Sequence, residues 1–303
     1  MAASPHIAED TIALCQQAAE ASRHCPSRRG NVVHLTPDDG DEVMVVADLH
    51  GNWLNFNRLF EIADLAGYPR RHLVMQEVCH GGPQYPDGGG CMSHLMLEEM
   101  ARLKVEFPDR FHFLLSNHEL SELGEYPICK SRKMLNLLFR CGIGEMYGPA
   151  GDRVREAYLD FIAACPLAVR LASGVFISHS LPEKCDRDGF DAGVLERPLT
   201  CSDWCAGSDV FRLVWGRDFR AANAEAFAKL VGAELLVHGH EPCRAGYSVP
   251  NERQVILDGC GCHASYLLLP IAAKLSQQEV LTRISRLHPS PQPKLACATE
   301  GIA

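Results

Sequence analysis

Three features of secreted and membrane proteins are missing from this sequence of 303 residues. Its first residues, MAASPHIAEDTIALCQQAAE, contain no cationic start, no continuous apolar stretch and no cleavage-type site, so no secretory signal is readable. No apolar run approaches the roughly 20 residues that a membrane-spanning helix needs. The 14 Cys follow no regular spacing, which argues against a disulfide framework. We therefore expect a cytoplasmic protein with reduced thiols and no membrane partner.

Positive charge is also scarce. The chain has 29 Lys+Arg against 38 Asp+Glu, a net charge of −9 with His neutral. Because an acidic surface repels a phosphate backbone, we do not expect nucleic acid as a partner. Hydrophobic residues, which form protein cores, are abundant and make up 47% of the chain. A chain of this size and composition folds around its own core without disulfides or a structural metal.

Helix and strand signals alternate along most of the chain. Apolar spacing predicts helices over 7–24, 53–66, 91–107, 130–147, 151–164 and 222–232, and strands at 72–75, 111–115, 167–172, 174–179, 234–237 and in the segment 246–287. Two apolar runs, 32–33 and 43–46, flank the turn-rich segment TPDDGDE and predict a hairpin. This alternation predicts an α/β sandwich with a mixed sheet core. We expect a helical extension over 1–30, one domain over 31–287 and a disordered tail over 288–303.

Polar side chains directly follow five of the buried strand signals. They are Asp48 and His50 after VMVVA, Glu77 after LVMQ, Asn117 and His118 after FHFLLS, His179 after GVFIS, and His238 and His240 after ELLV. Because strand ends in α/β sheets face the ligand crevice, these five ends can converge on one point. Carboxylates, an amide and imidazoles without a thiolate suit divalent ions such as Mn, Fe or Zn.

Each motif alone also has a purely structural interpretation. A single His at a strand end is more often a hydrogen-bonding residue than a ligand, and DLHGN alone could be a polar turn that caps the helix at Trp53. The coincidence of five such ends favours a metal site.

In this order the motifs resemble those of the calcineurin-like metallophosphoesterases, and in particular the phosphoprotein phosphatase family of serine/threonine phosphatases. ADLHGN is similar to the family motif GDxHG and SNHE to GNHE, while VFISHSLP, VWGRD and VHGHEPCRAGY resemble the later family segments. The resemblance spans about Val43 to Tyr266. It implies a calcineurin-like α/β/β/α sandwich with mixed central sheets and two divalent ions, with Mn favoured over Fe or Zn.

The resemblance also implies a role for each motif residue. Asp48 and His50 would hold the first ion, Asn117, His179 and His240 the second, and Glu77 would bridge both. A metal-bound hydroxide would attack the phosphorus, and His118 would protonate the departing oxygen. In the family an Asp of the second motif, GDxVDRG, holds this histidine, but His80 stands at that position here. An imidazole supports a charged neighbour less than a carboxylate does, which predicts a preference for aryl over alkyl phosphates.

The phosphate clamp of the family is altered as well. The family Arg of the second motif is Gly81 here, and the family Arg two residues before the distal His is His238. We expect Arg217 to be the main substitute in substrate binding, with Arg220 and Arg244 as weaker ones, and we expect His238 to contact the substrate as well. Each of these arginines could instead be a solvated or structural residue.

We therefore expect a metal-dependent phosphomonoesterase that resembles a phosphoserine/phosphothreonine protein phosphatase, acting on a phosphorylated protein. One alternative is hydrolysis of a small phosphate ester or a dinucleoside polyphosphate. The other alternative is an inactive phosphatase fold that serves as a binding module, against which the retention of all the ligand-type residues argues.

Overall fold

The computed structural model describes residues 5–289, apart from the side chains of residues 5 and 87. Of the tail expected over 288–303, residues 290–303 therefore lie outside the described part. The helices are α1 (Pro5–Arg23), α2 (Trp53–Ala63), α3 (Ser93–Glu106), α4 (Asn117–Leu123), α5 (Leu135–Tyr147), α6 (Gly151–Ala163), α7 (Cys185–Asp188), α8 (Asp209–Trp215), α9 (Ala221–Leu230) and α10 (Gln277–Leu281). The strands are β1 (Arg28–Arg29), β2 (Val32–Leu35), β3 (Glu42–Val46), β4 (Arg71–Gln76), β5 (Phe111–Leu114), β6 (Cys129–Lys130), β7 (Lys133–Met134), β8 (Ala168–Leu171), β9 (Val175–Ser178), β10 (Leu235–His238), β11 (Tyr247–Ser248), β12 (Gln254–Leu257), β13 (Ser265–Pro270) and β14 (Ile284–Arg286).

Two mixed sheets form the centre of the described residues. One has the order β1-β2-β8-β9-β10-β12-β11 and the other β14-β13-β3-β4-β5. Strands β3, β4 and β5 run parallel, and β10 runs parallel to both β9 and β12. The strands that carry the polar motifs therefore end at the same edges of their sheets.

The core has an inner and an outer part. Successive side chains of a strand point to opposite faces, and along β3 Val43 and Val45 pack with Ile177 of β9 between the sheets. Met44 and Val46 point the other way and pack with the helices. This arrangement confirms the predicted α/β/β/α sandwich with mixed central sheets.

Two local predictions are wrong. Residues 32–46 do not form a hairpin, because β2 joins one sheet and β3 the other. The turn residues of TPDDGDE reverse the chain, but they do not decide whether the two runs pair or part. The helix expected from residue 130 begins at Leu135, after a short hairpin of β6 and β7.

Helix α1 packs against α3 and α6 through a stripe that includes Cys15, Ala18 and Ala19, all buried. Over residues 5–289, none of the helices is long and apolar enough to cross a bilayer.

Candidate metal centre

The motif residues meet in one small cleft. Asp48 and His50 follow β3, Glu77 follows β4, His179 follows β9, His240 follows β10, and Asn117 and His118 open α4 just after β5. A cleft of about 90 Å³ is lined by six of them, Asp48, His50, Glu77, Asn117, His118 and His240. His179 is fully buried against Asn117, His240 and Glu77. The structure thus brings together every residue that the resemblance assigns to a metal.

Unusual backbone conformations aim these side chains. His50, Glu77, His80 and His240 have φ values of 46°, 49°, 67° and 70°, in the left-handed region that non-glycine residues rarely adopt. Glu119, the acid of the SNHE motif, supports the second motif because its carboxylate accepts the backbone N–H groups of residues 78 and 79 at 3.0 and 2.9 Å. Sharp local turns held by such bonds are typical of functional sites.

Acceptor atoms crowd around one point near His179. Its Nδ1 lies 2.8 Å from the side-chain oxygen of Gln76, which fixes the ring proton on Nδ1 and leaves the lone pair on Nε2. That Nε2 lies 2.7 Å from Asn117 Oδ1 and 2.9 Å from Glu77 Oε2. His240 Nδ1 lies 2.9 Å from the same Asn117 oxygen. Lone pairs of an amide, a carboxylate and an imidazole repel one another unless a cation lies among them, so this donor set fits a metal ion.

A second group of ligand atoms meets on the other side of Glu77. His50 directs Nδ1 at the backbone carbonyl of Cys79, 3.1 Å away, which leaves Nε2 facing Glu77 Oε1 at 2.9 Å. Asp48 uses one oxygen to accept the backbone N–H of His240 at 2.9 Å and also lines the cleft. Glu77 lies within ligand distance both of His50 and His118 and of His179 and His240, as a bridging ligand must.

The charges of this cluster favour a bound cation. Burial, together with the negative charge of Glu77, raises the pKa of Asp48 to about 7. Burial alone would lower the pKa of His50, but Glu77 and Asp48 raise it to about 9. Two buried carboxylates this close cannot both stay ionised without positive charge beside them. Divalent ions supply that charge. The converging ligand atoms described above are oxygens and nitrogens, with no thiol sulfur among them.

A chain of hydrogen bonds runs away from the cleft through His118. Its Nδ1 lies 3.0 Å from Nδ1 of His80, whose Nε2 lies 3.0 Å from Oε1 of Glu122. Because a carboxylate only accepts, the proton of His80 sits on Nε2, and His80 Nδ1 accepts from His118. His118 Nε2 therefore faces the cleft, 4.0 Å from Glu77 Oε1. Glu122, which sequence reasoning missed, lies one helical turn after His118 on α4, a spacing that could have revealed it.

The altered clamp has a steric cause. A Cβ on Gly81 would overlap the backbone carbonyl oxygen of His50, so no larger residue fits at this position of the second motif. Two other cations line the cleft instead, Arg217 and Lys130. Arg217 is paired with Glu241, whereas the side chain of Lys130 has no hydrogen-bond or ion-pair partner within residues 5–289. Lys130 went unnoticed in the sequence because the residues around it were expected to be helical.

Two of the expected substrate-binding residues do not reach the cleft. His238 is fully buried and points at Ser178 of the neighbouring strand, with Nδ1 3.3 Å from its hydroxyl and from its carbonyl oxygen. Arg220 pairs with Asp186 at 2.8 Å and Asp218 at 2.6 Å. Position within a motif did not give the direction of either side chain. His80 does not line the cleft either, and its ring nitrogens contact His118 and Glu122.

Comparison with known sequences finds a similar phosphatase. No protein-family model matches the chain. It is 24% identical over 281 residues to a probable serine/threonine-protein phosphatase of Encephalitozoon cuniculi, an alignment that covers 84% of this chain and 56% of that protein. The chain therefore spans about half the length of this curated relative.

Two solved structures superpose on most of the chain. A protein serine/threonine phosphatase from Saccharomyces cerevisiae matches with a TM-score of 0.66 at 14% identity, covering 94% of this chain and 91% of that one. A cold-active protein-tyrosine phosphatase of a Shewanella species matches with a TM-score of 0.52 at 14% identity, covering 84% and 80%. Together with the site, these similarities define a chain with the metallophosphoesterase fold. Within that fold it resembles the phosphoprotein phosphatases and diverges from them in the second motif.

Proposed function

We propose that the protein is a binuclear metal-dependent phosphomonoesterase. The observation that carries this proposal is the convergence of acceptor atoms on both sides of Glu77, from residues after five different strands. A binding module would gain nothing from burying so many uncompensated lone pairs, because each costs free energy when it has no partner. Burial of this kind is favourable when cations occupy the cluster.

Six residues would hold the ions. Asp48 and His50 would bind the first, Asn117, His179 and His240 the second, and Glu77 would bridge them. When bound, two such ions supply a nucleophile from water near neutral pH and neutralise the phosphate charge. Mn, Fe and Zn all accept this set of oxygen and nitrogen ligands. Gln76 and the carbonyl of Cys79 orient His179 and His50 through the ring nitrogens turned away from the ions.

The remaining residues bind the phosphate and handle one proton. Arg217 and Lys130 line the same cleft and would hold the phosphate oxygens. In hydrolysis the oxygen of water joins phosphorus, the bond to the leaving oxygen breaks, and that oxygen takes up a proton. His118, protonated on both ring nitrogens, would donate this proton from Nε2, while its Nδ1–H stays hydrogen-bonded to His80. Burial lowers the pKa of His118, and the negative charge of Glu77 opposes that shift and favours the doubly protonated ring. His80 and Glu122 are thus positioning residues.

The relatives suggest protein substrates. The Encephalitozoon and Saccharomyces proteins are named as serine/threonine phosphatases and the Shewanella protein as a protein-tyrosine phosphatase. We propose a phosphorylated protein as the substrate, with a small phosphate ester as the second candidate because a cavity of small-molecule size adjoins the cleft.

Metal reconstitution tests the proposal. The full chain is stripped with a chelator and re-supplied with Mn, Fe, Zn or Mg, and then metal content and hydrolysis of phosphopeptides and small esters are measured. We expect two ions per chain and activity only after re-supply. Binding should also raise the midpoint of thermal unfolding, since free metal at 100 times its Kd adds about 2.7 kcal/mol of stability.

Glu77→Gln gives the matched variant, because it keeps the size of the side chain and removes the bridging charge. We expect it to lose most activity and at least one ion, whereas Glu241→Gln, beside the cleft, should keep both ions. A protein that binds no divalent ion, or a Glu77→Gln variant with full turnover at limiting metal, would refute the binuclear assignment.

A further inference from the structure

A second cavity opens directly from the metal cleft. Its volume is about 590 Å³, within the range of roughly 300 to 1,000 Å³ that is usual for small-molecule sites. His50, His118 and Lys130 line both spaces, so the two are continuous. We call the larger space the side cavity.

The walls of the side cavity are mostly apolar. Trp53 and Leu54 come from the first turn of α2, Leu135 and Leu138 from α5, and Pro83 from the loop after the second motif. Gly81 and Gly82 also line it. The two glycines are tightly packed, because a Cβ on either would overlap a backbone oxygen of the facing loop at residues 50 and 51. The backbone of the second motif therefore forms part of the cavity wall.

Its polar groups lie where a phosphate ester would need them. Lys130 lines both the cleft and the cavity, and Lys133, which pairs directly opposite it in the β6–β7 hairpin, is exposed and lines the cavity. Neither lysine side chain has a hydrogen-bond or ion-pair partner in the part of the chain that the structure describes. The cavity thus combines an apolar body with positive charge on the side that faces the phosphate.

The position of His118 determines which part of a substrate enters the side cavity. His118 donates to the leaving oxygen in the proposed reaction, so the group attached to that oxygen must lie beside its ring. The space available beside its ring, outside the cleft, is the side cavity. The phosphate therefore lies in the cleft and the leaving group in the side cavity.

We propose that the side cavity binds the aromatic ring of an aryl phosphate monoester, the chemistry of a tyrosine phosphate. This inference rests on the proposed phosphatase function and extends it to a substrate class. An aromatic ring buries a large apolar area and stacks on a ring such as Trp53, whereas the short alkyl side chain of a serine phosphate leaves most of the cavity unfilled.

Phosphonates separate ring binding from turnover, since their carbon–phosphorus bond is not hydrolysed in this chemistry. Calorimetry measures the Kd of phenylphosphonate and of methylphosphonate for the metal-loaded full chain. We expect phenylphosphonate to bind at least about ten-fold more tightly. Equal Kd values, or no binding of phenylphosphonate, would overturn the inference even if the protein hydrolyses phosphate esters. Absence of hydrolysis with a ten-fold ratio intact would instead overturn the proposed function alone.

Neighbouring residues of α5 provide a matched pair of variants. Leu138 lines the side cavity, whereas Leu137 is 53% exposed and does not line it. Leu138→Trp should fill the space and abolish the preference for phenylphosphonate while leaving methylphosphonate unchanged. Leu137→Trp should keep the preference. An unchanged ratio in Leu138→Trp would overturn the inference.

A second pair covers the case in which Leu138→Trp does not fold. Leu54 is 42% exposed at the cavity wall and Leu230, on α9, is 45% exposed, so glutamine is tolerated at both. Leu54→Gln should reduce the phenylphosphonate preference at least two-fold and Leu230→Gln should not. Equal ratios in these two variants would also count against the proposal.

The source of the ring is distinguished by turnover. Free phosphotyrosine and a phosphotyrosine peptide present the same ring, and phosphoserine in the same peptide lacks it. Higher kcat/KM for either aryl ester than for the serine peptide supports the proposal, and the better of the two identifies a free ester or a protein as the source. A serine peptide that is the best of the three would contradict it.

Discussion

Replacing Glu122 by glutamine isolates the contribution of the relay behind His118. The carboxylate is fully buried and accepts from His80 Nε2 at 3.0 Å and from the side-chain amide of Asn136 at 2.7 Å. Arg140 and Arg155 approach its other oxygen to 3.7 and 3.6 Å. Glutamine keeps the shape of this side chain and removes the charge, so His80 retains a neutral acceptor at best.

The expected loss follows from the strength of the bond. A hydrogen bond to a charged group contributes about 1.5 to 3 kcal/mol and a neutral one about 0.5 to 1.5. The difference of about 1.4 kcal/mol corresponds to roughly ten-fold in rate. This loss should appear when the leaving oxygen needs its proton, as in alkyl phosphates, and should nearly vanish for p-nitrophenyl phosphate.

The assay is kcat/KM for Glu122→Gln over a series of phosphate esters with graded leaving-group acidity, with metal content measured in parallel. Glu125→Gln is the control, because Glu125 pairs with the same two arginines at 3.4 and 3.7 Å but is exposed. We expect the control to match the wild type. Equal losses on all esters, or the same slope in both variants, would show that His80 and Glu122 do not act on the departing oxygen.

Three further predictions concern the clamp and the stability of the fold. Gly81→Arg should not restore the family clamp, because any Cβ at this position overlaps the carbonyl oxygen of His50. Displacement of His50 should lower the affinity for divalent metal about ten-fold in a metal titration. An unchanged metal affinity would contradict the steric argument. Arg217→Ala should weaken the binding of inorganic phosphate, measured as inhibition, by about 1.5 to 3 kcal/mol, whereas Arg220→Ala should leave it unchanged. If only Arg220→Ala weakens phosphate binding, Arg220 and not Arg217 binds the phosphate. Asp203→Asn should lower the free energy of unfolding at pH 7 by up to about 1 kcal/mol, since the bidentate pair with the partly exposed Arg197 holds the pKa of Asp203 well below its usual value but is screened by solvent. This stabilisation is fully present above the ordinary carboxyl pKa of about 4 and is lost progressively as the pH falls below it towards the lower pKa of the folded state. Urea unfolding should therefore show a smaller difference in the free energy of unfolding between wild type and variant at pH 3 than at pH 7.

The residues that the sequence predicted well share one physical signal. Each of these buried strands contains an apolar run, and polar residues one or two positions after the run mark the strand end; Asp48, Glu77 and His179 were all found in this way. The parallel direction of neighbouring strands then brought these ends together. Parallel pairing aligns strand ends only within a sheet, so the meeting of the ends of β3, β4 and β5 with those of β9 and β10 depends on how the two sheets face each other.

What the sequence did not reveal depends on contacts between distant segments. Lys130 reaches the cleft only because α5 begins five residues later than expected and a hairpin forms before it. His238 was misassigned because β10 still runs at this residue and turns its ring toward β9. The hairpin expected over 32–46 failed because pairing partners are chosen by the layers of the whole fold, not by the turn between two runs.

The left-handed backbone at His50, Glu77, His80 and His240 bears on how this protein can change under selection. A non-glycine residue in this conformation costs on the order of 1 to 3 kcal/mol, a cost that glycine does not carry. At these four positions stability and chemistry therefore demand different amino acids. Selection for heat resistance alone would drift toward glycine or asparagine there and discard the site, whereas selection for turnover would keep the strained residues and recover stability at positions elsewhere in the fold.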